Sequence, residues 1–460
     1  MAKTRDMTTG SPTKHILLFC LPIIAGNAFQ QLYSLVDSFV VGQLSVDALN
    51  AVASAGWLDW TVLSLAIGLA QGFAIQVAQS FGAGDHRQMQ HAIGQSLLLS
   101  VVTVVLVEAL AQVFIRPVLE IMDMPEQTID MTESYLRIIY AGLPLVMGFN
   151  LFGGFLRSVG DSTTPLVAMT IASVTNIVLD VALVLYTPLG VCGAAIATVS
   201  AQGLSCLICL VAVVRMPLMR VRREDLRVDG AMCRRLLILG APIAFQNLII
   251  SIGGLVLQKI VNGLRYVLAA GYNFVAGFNT TSRLVGLIEM AGASLGNAVG
   301  TFAGQNLGAG RLDRVRLGMR RAAQIGVGLA LAVCLTMVLW GKPLLSLFLT
   351  DEDPQKVADV LAIAYRYLVV MSVGLPMLYL LFGYRTTLQG VGDTFIPMVS
   401  GFVELVMRVG VALPLSGLIR EYALYLAEPA AWLGAAVLLI TCYYVRVHKL
   451  SKTGIAKENI

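Results

Sequence analysis

The chain has 460 residues, of which 57% are hydrophobic and only 13% charged, with a formal net charge of +5. A soluble protein of this length is usually about a quarter charged. There are too few polar side chains here to cover a water-facing globule, so the solvent of this chain is largely lipid, and the 44 glycines suit the close packing of membrane helices.

A transmembrane helix needs roughly 20 mostly apolar residues to cross about 30 Å of hydrocarbon. Twelve such runs are predicted, near 15–41, 50–81, 93–116, 133–157, 164–187, 190–214, 236–262, 270–304, 319–348, 360–386, 395–418 and 429–446. Unbroken apolar runs of this length read as helices, since barrel strands would be short and alternating. Several exceed the minimum, which predicts tilt or extension past the bilayer.

The first segment, "MAKTRDMTTGSPTKH", is polar and basic, and the apolar run behind it is too long for a signal-peptide core, so no cleavable signal is expected. Within that run Pro22 removes a backbone donor, which predicts a kink, either static or a hinge. Further on, in "YSLVDSFVVG", Asp37 has no cation in its own helix, and Tyr33 stands one turn before it as a hydrogen-bond donor. The second run ends in "AQSFGAG". Acidic residues follow the third: Glu120, Asp123, Glu126 and Asp130. After the fourth, "SVGDSTTP" offers Asp161 as a cap and Pro165 in the first turn of the next helix. The fifth run carries "NIVLD": Asn176 and Asp180 lie about 6 Å apart along one helix face, in a stretch with no other charge. The sixth adds the hydroxyl of Thr198 and the "CLIC" at 206–209. That spacing suits a redox or metal pair, but there is no second ligand pair, so it reads as small-residue packing, and neither a transition-metal site nor a disulfide framework is expected from the seven cysteines.

Residues 215–235 form a long basic segment, with Arg215, Arg220, Arg222, Arg223, Arg227, Arg234 and Arg235. Beyond it the second half of the chain repeats the first. Pro144, Gly160, Asp161 and Pro165 match Pro376, Gly392, Asp393 and Pro397 at an offset of 232; "AQSFGAG" matches "GQNLGAG" at 226; Pro22 answers Pro242 at 220. The expected organisation is therefore an N-terminal lobe of six helices (1–214), a linker (215–235) and a C-terminal lobe of six (236–460), parallel repeats with a substrate cavity between them. Arg311, Arg314, Arg316, Arg320 and Arg321, the linker and the basic tails (Lys3, Arg5, Lys14, Arg446, Lys449, Lys452, Lys457) fall on one side of twelve spans; Asp351, Glu352, Asp353 and Asp359 join the acidic loops on the other. The positive-inside rule puts both termini in the cytoplasm, and topology accounts for the basic linker without nucleic acid. In the second half the acids are Glu289, six residues after Arg283, and Glu404, which is spaced for an i,i+4 pair with Arg408; the readings are neutralised structural pairs or groups facing the cavity.

An ionisable group inside a span costs several kcal/mol unless paired or wetted. Asp37, Asn176, Asp180 and Thr198 make an all-oxygen set. Hard cations want such ligands, so the set suits Na⁺; two close carboxylates also share a proton readily, so it suits H⁺ equally. The plainer alternative is a protonated acid that staples two helices.

The "LVD" of the first helix, the "NxxxD" of the fifth, the "GAG" after the second and its echo, in this order on a duplicated six-helix plan, resemble the multidrug and toxic compound extrusion (MATE) transporters, in particular their DinF-like bacterial branch, over about 12–448. The resemblance implies a multi-pass protein of the bacterial inner membrane that exports organic, often cationic, compounds in exchange for Na⁺ or H⁺ by alternating access. It needs no cofactor, and the expected partners are small organic molecules and membrane lipids, with function as a monomer. The coupling residues then fall on Asp37, Asn176, Asp180 and Thr198, with Tyr33, Tyr135 and Asn150 lining the same pocket. Stretches that hold an acid in the second lobe of some relatives carry Lys259 and Arg385 here. No Walker A sequence supports direct ATP use, and the four histidines sit at or beyond helix ends, so an enzyme is not expected. The remaining alternative is a flippase of lipids or lipid-linked precursors on a related fold, which would need a strongly cationic cavity.

Overall fold

The computed structural model describes residues 4–121, 126–264, 271–349, 353–419 and 421–452. Lys3, Asp123, Asp351, Glu352 and Lys457 lie outside the described residues, as does the side chain of Glu126. The first half contains α1 (Pro12–Gly42), α2 (Val46–Gly82), α3 (His86–Ile121), α4 (Glu126–Ala141), α5 (Leu143–Ser158), α6 (Thr163–Asp180) and α7 (Val191–Val214). The second contains α8 (Gly230–Leu264), α9 (Gly271–Gly308), α10 (Leu312–Ser346), α11 (Pro354–Gly390), α12 (Phe395–Ile419) and α13 (Glu421–Lys452). Among the described residues the chain is all-helical, and every expected apolar run is a helix or a closely joined pair.

Ten of these helices are long and apolar enough to cross a membrane, and α4 with α5, bent by 44° at Gly142, makes an eleventh. The twelfth run is α9, whose polar residues, Arg283, Glu289 and Asn297 among them, set it apart; it is covered by protein, packed against α11, α10, α2 and α1. Many outward side chains on the other helices are large and apolar, such as Phe39, Val113, Val174 and Trp340. Water would not favour such a surface, and a bilayer does.

The internal repeat is visible in the backbone. Gly84 and Gly310 have φ of 72° and 71°, and Gly160 and Gly392 have 88° and 85°. In each pair equivalent turns need the left-handed conformation that glycine adopts freely. Asp161 caps α6 as expected: one carboxylate oxygen accepts from the Thr163 and Thr164 N–H groups (3.0 Å each) and the other from the Thr164 hydroxyl (2.6 Å).

The halves touch at the end that carries the basic segments. A Cβ on Gly82 would collide with the Gln305 carbonyl, and one on Gly308 with the Gln79 carbonyl, so only glycine permits the approach. The Gln79 amide donates to Gly390 O (2.9 Å) and the Gln305 amide to Ser158 O (2.8 Å), both across the junction. The segment before α1 lies over this contact: Arg5 N–H donates to Val159 O (2.9 Å), Met7 N–H to Gln305 Oε1 (2.9 Å), and the Arg314 guanidinium to Met7 O and Thr9 O (3.0 and 3.1 Å). Residues 217–229 dock on α3, where Arg87 pairs with Asp225 (2.7 Å) and the Gln95 amide donates to Asp225 O and Arg227 O.

Candidate ion and substrate sites

Three polar regions interrupt the apolar interior. The first lies within α1, α2, α4, α6 and α7. Asp180 is the last residue of α6, and the chain then widens into a π-helical turn, Val181–Leu185. Such turns inside helices often mark functional sites, because they re-aim side chains at the cost of regular hydrogen bonding. α1 packs along α6 and this turn, which brings Asp37 toward Asp180. Asn176 and Asp180 are completely buried, and the Asn176 amide reaches Thr198 Oγ1 at 3.5 Å. Asp37 Oδ1, Asn176 Oδ1 and both Asp180 oxygens are buried with no donor among the described residues. Tyr135 is buried near Asp37, Asp59 and Asp180, and Tyr33 lies near Asp37 and Asp59.

Two members were not anticipated from sequence. Asp59, on α2, lies near Tyr135 and has a buried oxygen without a donor, and Gln202 on α7 also has a buried oxygen without a donor. Asp59 was detectable: it is the lone acid of "GWLDWTVL", and the argument that singled out Asp37 applies to it unchanged. Asn150 lies elsewhere. Its amide donates to Val146 O (2.9 Å), and its side chain lines the central cavity.

The second region is a cavity of about 710 Å³ inside the second half, walled in part by Arg283, Glu289, Arg385, Glu404, Arg408 and Glu428. Here the structure corrects the expected Glu404–Arg408 pair. Glu404 pairs with Arg385 of α11, which also donates to Ser400 (3.2 Å), and Arg408 pairs with Glu428 of α13 (2.8 Å). The helix spacing was right, but long guanidinium side chains from neighbouring helices reach these acids, and pairs that cross helices also hold α11, α12 and α13 together. Arg283 and Glu289 both face this cavity and make no ion pair with each other.

The third region, about 250 Å³, lies between the halves beside the closed end. Pro22 is on its wall, and α1 continues as helix through it to Gly42. All seven cysteines are free; Cys206 packs its sulfur against Gly148, the small-residue packing expected of "CLIC". Among the described residues no His/Cys/Asp/Glu group is arranged to hold a metal ion.

Comparison with known proteins accords with this architecture. A relative from Bacillus subtilis, named "Probable multidrug resistance protein YoeA", is 27% identical over 97% of this chain and 96% of its own. A Shewanella oneidensis protein named "FAD transporter" is 26% identical over 96% of each. A solved structure titled "Crystal structure of MATE in complex with MaL6" superposes with a TM-score of 0.91 at 23% identity, over 98% of this chain and 100% of that one, which shows the shared fold. The family model described as MatE matches residues 22–182 and again 242–413. The chain belongs to the MatE family of multidrug efflux transporters.

Proposed function

We propose that this protein is a secondary active exporter of organic compounds, driven by inward Na⁺ or H⁺ that binds the Asp37, Asp59, Asn176, Asp180 and Thr198 cluster. The observation that carries the reading is the set of buried carboxylate and amide oxygens with no donor. A buried acceptor without a partner costs about 1–3 kcal/mol, more when charged, and a bound cation or proton removes that cost. The second half has acids too, but two of its three cavity carboxylates already hold arginines, so the coupling function is assigned to the first half.

The working unit is a lobe of residues 1–214, a linker of 215–235 and a lobe of 236–460, acting as a monomer among lipids in the bacterial inner membrane. Lys and Arg at the closed end support a cytoplasmic location for both termini. On that orientation the structure is the outward-facing state. Ion binding at the cluster then favours closure outward with release of substrate, and reopening inward returns the ion. The two ligands must prefer opposite conformations, since only differential affinity shifts the balance. Pro22 is the proposed hinge of α1. The names of the relatives cover both drug resistance and FAD transport, so family membership leaves the substrate class open.

The test is transport in proteoliposomes with Na⁺ and pH gradients imposed separately, for wild type and for Asp37→Asn and Asp180→Asn. We expect one gradient to drive uptake into inverted vesicles and both variants to lose that drive. Wild-type rates in well-folded variants would sink the site assignment.

A further inference from the structure

The central cavity is lined by residues of both halves. Its wall includes residues that correspond in the repeat: Ile23 with Ile243, Gln71 with Asn297, and Arg157 with Gln389, at the offsets of 220, 226 and 232 seen in the sequence. Some of these pairs are chemically matched and others, such as Ile75 with Thr301 and Gly154 with Thr386, are not, but only one of them differs in charge. Among the described residues Arg157 is the only charged one on the wall, and its counterpart is a neutral amide. The guanidinium is largely buried, and among the described residues nothing pairs with it. The nearest carboxylate in sequence, Asp161, is committed to the cap of α6. The free amides of Gln71 and Asn297 stand on the same wall.

A buried cation without a counterion is costly, and the cost disappears when an anion arrives. Arginine holds a carboxylate through two parallel N–H···O bonds. One positive charge balances one carboxylate, whereas a phosphate monoester carries about −1.5 to −2 and would leave the cavity negative. We propose that the central cavity is a substrate subsite for organic compounds bearing a single carboxylate, which Arg157 anchors and the amides of Gln71 and Asn297 flank. The proposal rests on the transporter reading and narrows its substrate class from organic compounds in general to those that carry an acid.

The experiment is equilibrium binding of dansylglycine and of its methyl ester to the full chain in lipid nanodiscs, followed by fluorescence. The probes differ only in the carboxylate. Wild type should bind the acid about tenfold more tightly than the ester, as expected for one charge-assisted pair. Arg157→Gln, which copies the residue across the axis, should lose that preference by weakening the acid alone; Arg157→Lys should keep most of it. Equal binding of acid and ester by wild type would overturn the proposal. So would an Arg157→Gln protein that weakens both probes alike, since Arg157 would then be a packing residue. Should Arg157→Gln fail to fold, the wild-type ratio and its survival in Arg157→Lys decide. No gradient is used, and Asp180→Asn should keep the acid preference while losing transport, so failure of the coupling reading is separable from failure of this one.

Discussion

The two halves share a backbone plan and treat buried acids in opposite ways. In the first half Asp37, Asp59 and Asp180 have buried oxygens without donors; in the second, Glu404 and Glu428 are tied to Arg385 and Arg408 of neighbouring helices. A carboxylate left unpaired is available to an incoming cation or proton. A carboxylate paired across helices is part of the scaffold. Under the proposed function, buried charge serves exchange on one side and packing on the other, although the helices around it correspond.

Substitutions can break this contrast. The largest effect is expected from Asp180→Asn: gradient-driven efflux of a fluorescent substrate should fall to the level of cells lacking the protein, while the thermal midpoint of the purified protein holds or rises, because an unpaired buried charge has been removed. Glu404→Gln should do the reverse. It strands Arg385, and breaking one side of a buried pair costs about 3–5 kcal/mol, read as a lowered midpoint; Arg385→Gln combined with Glu404→Gln should recover much of it. If Glu404→Gln instead abolished efflux at unchanged stability, the halves would not differ as described. Gly82→Ala and Gly308→Ala should each cost about 1–3 kcal/mol through overpacking of the junction, and equally within error, because the backbone there is symmetric. The smallest effect is at the caps. Asp161→Ala should cost about 1 kcal/mol, and Asp393→Ala less, since Asp393 accepts one long hydrogen bond at 3.4 Å and makes a loose, partly exposed ion pair with Arg446 (3.5 Å), where Asp161 accepts three short bonds; denaturation midpoints in detergent would rank them.

Most of the fold was legible because lipid imposes long apolar runs, and the duplication could be read from glycine, aspartate and proline recurring at offsets that step from 220 to 226 to 232. The turn glycines kept those offsets because a positive φ leaves little choice of residue. Charge pairing was less legible. The spacing of Glu404 and Arg408 on one helix was correct, but the partner that won, Arg385, is on another helix, and nothing local in the sequence records the distance between helices. Asp180 stood out as a charge in a bare stretch, yet the π-helical turn after it left no mark in "VALVL". The importance of Arg157 was hidden for a similar reason. It looks like an ordinary basic residue near a helix end, and only the packing of both halves shows that it lines the cavity between them with no ion-pair partner among the described residues.

The glycine contact at the closed end has one more consequence. Gly82 meets Gln305 as Gly308 meets Gln79, the reciprocal arrangement of an isologous dimer interface, here inside one chain. In a true homodimer every substitution appears twice and the axis stays symmetric. Once the copies are joined, a residue on one side of the axis can change alone. Arg157 opposite Gln389 is such a step, and three unpaired aspartates in one half opposite cross-helix ion pairs in the other are more of the same. A joined chain can therefore carry the proposed ion site and substrate anchor once each, where a symmetric pair of identical halves could only have possessed them in duplicate.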